Sequence, residues 1–349
     1  MTITVRTHLK SLAAAGVLAG LGTVPALAQE VLRINSFGGV YEETHQRLVI
    51  KPFEEANNVR VEVVTLYSAD TLAQLRAQKD APQFDVVHFS GGQEIVAARE
   101  GLLDPITPAE LTNYDDLYPF AVEGIEQGIG PAYVVVANGL IYNSEKVETP
   151  PKTWAEFLAG GYGEEVTLTD LSNTYGLQAL LMMNQVAGGT LENIQPGLDA
   201  ARKLLDEGAQ IVASAPEIQQ AFAQGATAIA PYAQEYAYTL RAAGMPVGFI
   251  APTDGAPVSY FTISAVSGRP NSELAKKFID FSLSAEVQAG WAEAMRYSPT
   301  NKAATLADDV AGDVIYGEEA VSQTVRFDPE VVNANRPEWV EAWNRMIAQ

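Results

Sequence analysis

The 349-residue sequence contains no cysteine. That absence excludes disulfides, thiolate metal sites, a thiol nucleophile and a lipidated cysteine anchor. Basic residues are scarce: 22 lysines and arginines against 43 aspartates and glutamates leave a net charge of −21. Such an excess argues against nucleic acid and anionic membranes as partners, and it suits a cationic ligand. Local catalytic signatures are missing as well. There is no G-x-S-x-G, no H-E-x-x-H, no Walker A lysine and no G-x-G-x-x-G. Beyond the first 28 residues no apolar run is long enough to span a bilayer.

What is present begins with those first residues. A short polar start carrying Arg6 and Lys10 leads into an apolar stretch, Leu12 to Val24, and then Ala26-Leu27-Ala28. Small residues at the −3 and −1 positions after an apolar run mark an export signal. Residues 1–28 are expected to be removed, giving a periplasmic protein that starts near Gln29. The 321 remaining residues carry a net charge of −23, and that length suggests two domains.

The chain alternates strand and helix patterns, the signature of an α/β protein with a parallel sheet. Val31, Leu32 and Ile34 form a first strand that runs into Ser36-Phe37-Gly38-Gly39, with a helix from about Tyr41. Phe84–Phe89 is a strand running into Ser90-Gly91-Gly92, again with a helix behind it. Val166–Asp170 leads into Leu171-Ser172-Asn173-Thr174 and a third helix. Glycine pairs let the backbone turn tightly and approach a ligand, and the first N–H groups of a helix are left to hold an acceptor. Ligands of open α/β sheets sit at such strand ends. Between these turns, the buried run 134–140 and the segment around Thr253-Asp254-Gly255 are candidate crossings between two lobes. Helices are expected over Asp70–Lys79, capped by Ser68 or Asp70, and over Arg336–Ala348. Asp170 is placed to cap the helix that follows it, and Glu235 to favour the first turn of its own. His45 and His88 are expected as ordinary solvated or satisfied side chains, and Trp154 as loop packing.

Five stretches then appear in order: Tyr142-Asn143, Pro151-x-Thr153-Trp154-Ala155-Glu156-Phe157, Leu168-Thr169-Asp170, Ala243-Gly244-x-Pro246 and Arg296-Tyr297-Ser298-Pro299-Thr300-Asn301. In these the chain resembles the periplasmic solute-binding proteins of ABC importers, in the group that includes spermidine- and putrescine-binding proteins. The resemblance covers nearly the whole chain past residue 28. It implies the type II periplasmic binding protein fold, two α/β lobes joined by two crossing strands. The lobes would comprise 29–133 with 259–303, and 138–255 with 304–349. It also implies a monomer without cofactor that clamps a small ligand and hands it to a permease. Polyamine binders of this kind cover methylenes with aromatic rings and hold ammonium groups with carboxylates. Phe37, Tyr41, Tyr232, Tyr260 and Tyr297 resemble the aromatic wall. Where the group carries an acidic pair after Leu-Thr-Asp, this chain has Leu171 and Thr174, and in the second crossing strand it has Thr262. Asp170 and Glu235 stand near the expected cleft as substitutes.

The expected ligand set is therefore Ser36, Phe37, Gly38, Gly39, Tyr41, Ser90, Gly91, Gly92, Asp170, Asn173, Thr174, Tyr232, Glu235, Tyr260, Thr262 and Tyr297. An amine of the polyamine type is the expected cargo. Three rivals stand beside it. Tyr232, Tyr236, Tyr238 and His45 offer phenolate and imidazole donors for ferric ion. Polar helix starts facing one cleft suit a carboxylate, phosphonate or zwitterion. A secreted hydrolase with two unmarked carboxylates needs no local motif.

Overall fold

A computed structural model describes residues 29–348. The expected signal segment lies outside that range. Nine of the eleven strands among the described residues are longer than two residues: β1 (Val31–Ser36), β2 (Arg60–Thr65), β3 (Val86–Ser90), β4 (Ala132–Asn143), β5 (Thr167–Thr169), β6 (Gln210–Val212), β7 (Ile229–Ala233), β8 (Val247–Ile250) and β9 (Ala256–Val266).

The first lobe has the order β2-β1-β3-β9-β4. β1 runs parallel to both β2 and β3, and Ile34 lies opposite Val86. β9 is antiparallel to β3 and β4. Leu32 and Ile34 of β1 are fully buried against Phe53, Phe278 and Trp291, the core beneath this sheet. In the second lobe β4 pairs antiparallel with β7 and β8, β5 pairs parallel with β6, and a bridge from Val166 to Ile229 joins the two sets. Its core gathers Trp154, Phe157, Leu180 and Trp343.

β4 is the strand that joins the lobes. Ala132–Ala137 pairs with β9, and from Asn138 onward the same strand pairs with β7. A strand covered on both faces reads as a continuous apolar run, and AYVVVANGLIYN does. From the expected segment β9 goes on to pair through Val258–Thr262 with the first-lobe half of β4, and Thr253–Gly255 itself is a turn held inside the second lobe. There Asp254 accepts from the N–H groups of Trp154 and Ala155 at 2.8 and 3.2 Å, and Gly255 O accepts from the Trp154 indole at 2.7 Å.

Candidate functional site between the lobes

The two glycine turns form as the sequence requires. Gly38 and Gly39 have φ of 76° and 55°, and Gly91 and Gly92 have 88° and 95°, a region that L side chains enter only with strain. Both turns sit at the carboxyl ends of parallel strands, and the second faces the start of the second lobe's helix Thr174–Val186. The amides of the second turn are not all free, however. Glu94 folds back so that its Oε2 accepts the Gly92 N–H at 3.1 Å, and Ser90 N–H donates to Ser68 Oγ at 2.9 Å. Ser68 is the first residue of its helix, whose cap position is held by Tyr67 without a side-chain cap, so neither Ser68 nor Asp70 caps it as expected.

Around the first turn lies an aromatic cluster. The Phe37 ring is 5.6 Å from Phe261 and 5.1 Å from Tyr41, and Phe261 is 5.7 Å from Tyr297. Tyr41 is buried beneath this cluster, its hydroxyl paired with that of Tyr133. It belongs to the core, not to the gap. Tyr67, which the sequence did not single out, stacks beside Phe37 and is 66% exposed at the rim.

On the facing side, Asn173 caps the helix Thr174–Val186. Its Oδ1 accepts from Tyr175 N–H at 2.9 Å, and its Nδ2 donates to the Tyr232 hydroxyl at 3.3 Å. The Tyr175 hydroxyl donates to Glu235 Oε1 at 3.1 Å. Glu235 Oε2 is shut off from solvent and has no partner among the described residues. Tyr175 and Tyr232 are packed edge to face at 5.0 Å, and Tyr297 lies close enough to feel the Glu235 charge. Burial raises the Glu235 pKa to about 7, against the opposing pull of hydrogen bonds from its own N–H and from Tyr175. Burial also holds the Tyr175 and Tyr297 hydroxyls well above the usual range, and the Glu235 charge pushes them further. These phenols stay protonated, as donors and as rings.

Other expected residues lie elsewhere. Asp170 is engaged: Oδ1 accepts from Ser172 N–H at 2.9 Å and Oδ2 from the Trp343 indole at 3.2 Å. Burial pushes its pKa up, but hydrogen bonds from Ser172 and Trp343 outweigh that and lower it. Tyr260 and Thr262 sit on the face of β9 opposite Phe261, as a two-residue repeat dictates. Tyr260 stacks on Phe120 at 5.2 Å, with the Arg326 guanidinium 4.8 Å over its ring. Thr262 is buried there with an unpartnered Oγ1, and Ser36 Oγ is likewise buried and unpartnered.

On this second face the lobes enclose a cavity of about 140 Å³ that brings Gly91, Gly92 and Glu94 together with Thr174, Gln178, Ser259, Tyr260, Arg326 and Arg336. Two of the three expected turns therefore share one hollow; the first, with Phe37, Phe261 and Tyr297, is not part of its lining. Nothing local marks Glu94, Gln178, Arg326 or Arg336. A larger crevice of about 570 Å³ lies apart from these turns; its Arg296 is already paired with Asp313 at 2.9 Å.

The ferric rival finds no support in this geometry. Tyr236 donates to Ala215 O at 2.6 Å, Tyr238 lies under Arg296, and His45 is inside the first lobe's core. No group of three or more histidine, aspartate or glutamate side chains is placed to hold a metal among the described residues. His45 and His88 are not solvated either. Both are buried, with ring centroids 4.9 Å apart, and His45 Nδ1 and His88 Nε2 lack partners.

Comparison with known proteins agrees with this architecture. The model of the bacterial extracellular solute-binding protein family matches residues 49–317. The gamma-aminobutyric acid-binding protein of Pseudomonas aeruginosa is 26% identical over 285 residues, 78% of this chain and 77% of the relative. Among solved structures, an ABC transporter protein of Clostridium perfringens superposes with a TM-score of 0.77 at 21% identity, covering 90% of this chain and 99% of that one. The spermidine/putrescine substrate-binding protein of Streptococcus pneumoniae gives 0.75 at 16% identity, covering 90% and 99%. The fold is that of the type II periplasmic binding proteins. The chain belongs to the bacterial extracellular solute-binding protein family, whose members bind their solutes and are not enzymes.

Proposed function

We propose that the protein is the periplasmic receptor of an ABC importer and that its cargo is a small solute bearing an ammonium group, received by Glu235. One observation carries this reading: a carboxylate oxygen enclosed by tyrosines, out of reach of water and without a partner. A half-satisfied buried acid is costly to a folded protein. A cation removes that cost, and tyrosine faces add to its attraction. The P. aeruginosa relative is named for gamma-aminobutyric acid and the S. pneumoniae neighbour for spermidine and putrescine; all three solutes carry ammonium groups.

The count of free acids favours one ammonium over several. Asp170 is committed to Ser172 and Trp343, and Glu94 to the Gly92 amide. An amino acid or monoamine fits this arrangement better than a polyamine, the cargo that the resemblance implies. Lobes comprising 29–133 with 259–303, and 138–255 with 304–349, would move as units about β4 and β9. They open to admit the solute and close on it before the complex, a monomer, meets its permease. The test is calorimetric titration at pH 8 with n-butylamine, 4-aminobutyrate and putrescine. Glu235→Gln is expected to weaken every amine that the native protein binds by about tenfold or more. Equal affinity in the variant, or binding of carboxylates with no response to any amine, would overturn the reading.

A further inference from the structure

We infer that Arg296 is a positioning residue of the solute site, holding the corner that aims Tyr297 at Glu235. This inference rests on the reading of Glu235 as the ammonium site and adds what sets its geometry.

Arg296 is strained. Its φ is 54°, in a left-handed region that, among the described non-glycine residues, only Asn58 shares. It follows the helix Ala285–Met295, and its N–H donates to Ala292 O at 2.9 Å. Glycine is the usual residue at such a helix end, because a Cβ is disfavoured there. A larger residue persists in this conformation only where its surroundings over-determine it, and those of Arg296 do. Its guanidinium donates to Glu293 O at 2.6 Å, pairs with Asp313 at 2.9 Å and lies 4.4 Å over the Tyr238 ring. Arg241 pairs with the same Asp313.

The second tie comes from Gln234, which is buried. Its Nε2 donates to Arg296 O and, at 3.0 Å, to Ser298 Oγ, while its Oε1 accepts the Ala137 N–H of β4 at 3.1 Å. Ser298 completes the knot. Its N–H and O exchange bonds with Val135 of β4 at 2.8 and 3.1 Å, and its Oγ accepts the Ile315 N–H at 2.9 Å. Gln234, Tyr238 and Arg241 recur at i, i+4 and i+7 of the helix Gln234–Ala242, so one helix face grips the corner. Glu235 is the next residue after Gln234, and Tyr297 is the residue between the two that are tied. The helix start and the corner are thus locked together where β4 changes partners from β9 to β7. A buried polar network with its members satisfied makes such a position rigid.

The titratable groups that feel the Glu235 charge are Tyr175, Tyr232 and Tyr297. Releasing Tyr297 would let water reach Glu235, and a wetter carboxylate ionises at lower pH.

The test is calorimetric titration with n-butylamine, 4-aminobutyrate and putrescine between pH 5.5 and 8.5, for the native protein, Arg296→Gly and Tyr297→Leu. Glycine accepts the backbone conformation and removes only the grip of the side chain. In Arg296→Gly the tightest of the three solutes should lose about fivefold or more at pH 8. The pH below which its affinity falls should also move down by about half a unit or more, as it should in Tyr297→Leu. Tyr238→Leu, at the wall of the larger crevice, removes the ring under the guanidinium and serves as a second variant should Arg296→Gly fold poorly. It should move both readouts the same way. If either the affinity or the pH profile stays as in the native protein, Arg296 is a helix cap alone and the inference is overturned, while the ammonium reading stands so long as Glu235→Gln weakens binding. If Glu235→Gln changes no affinity, or none of the three solutes binds, both fall together.

Discussion

Glu235 is a carboxylate whose proton is contested. Burial raises its pKa to about 7, above the value it has in an unfolded chain. The stabilising contribution of its proton is therefore complete below the ordinary glutamate pKa and is lost as pH rises through about 7. Ligand binding runs the other way, because an ammonium group pairs with the ionised acid. Affinity for an ammonium solute should fall as pH drops below 7, approaching about tenfold per pH unit, and the slope should vanish in Glu235→Gln. Titration at pH 5.5, 6.5, 7.5 and 8.5 checks both. His88 makes the opposite contribution to stability. Burial pushes it down to about 4, although its Nδ1 bonds to Asn35 O at 3.0 Å. Its neutral form is favoured in the folded state, so stability is present above the unfolded histidine pKa and is lost as pH falls from about 6.5 to 4. That loss amounts to about 3 kcal/mol for His88 alone. Urea unfolding of His88→Gln across this range should show a shallower acid slope than the native chain. The sequence treated these histidines as ordinary because burial, the cause of their shift, is a property of the packed lobe.

At the scale of elements, most strands and helices were legible because apolar positions repeat with the period of their structure. β1, β3 and the helix Ser68–Ala77 lie within a few residues of where the pattern puts them. The misses have particular causes. The final helix was expected from Arg336, yet it runs from Pro329 to Ile347 with Pro337 inside it. Its true start carries a capping aspartate, Asp328, which accepts the Glu330 N–H at 2.8 Å, followed by proline at the first helical position. The added length carries Arg336 to the cavity. Asn173, expected as a ligand residue at a strand-to-helix turn, serves as the helix cap there. Asn173→Ala should cost about 1 kcal/mol of stability in urea unfolding, and it should also weaken ligand binding by releasing the Tyr232 hydroxyl. Asn173→Asp keeps the cap and loses the donor, so it separates the two effects.

For the whole molecule, two lobes could be read from length and from one long apolar strand, but the facing of side chains across the gap could not. The expected ligand set puts Tyr260 and Thr262 beside Phe37 and Tyr297, whereas the pleat of β9 sends them to the cavity side and Phe261 to the aromatic side. Several residues there, Arg326 and Arg336 among them, lie beyond residues 49–317, the part matched by the family model. Glu235 Oε2 is closed to solvent beside Tyr175, so the proposed receptor must open along β4 and β9 to admit an ammonium group. Small-angle scattering should then show a smaller radius of gyration with the tightest-binding amine than without, and no such change in Glu235→Gln. The most direct measurement is a crystal structure of the protein with its tightest-binding amine. The account predicts the ligand nitrogen within about 3 Å of Glu235 Oε2, with Tyr175, Tyr232 and Tyr297 around it. A ligand seated with its nitrogen elsewhere, and Glu235 still bonded to Tyr175 alone, would contradict it.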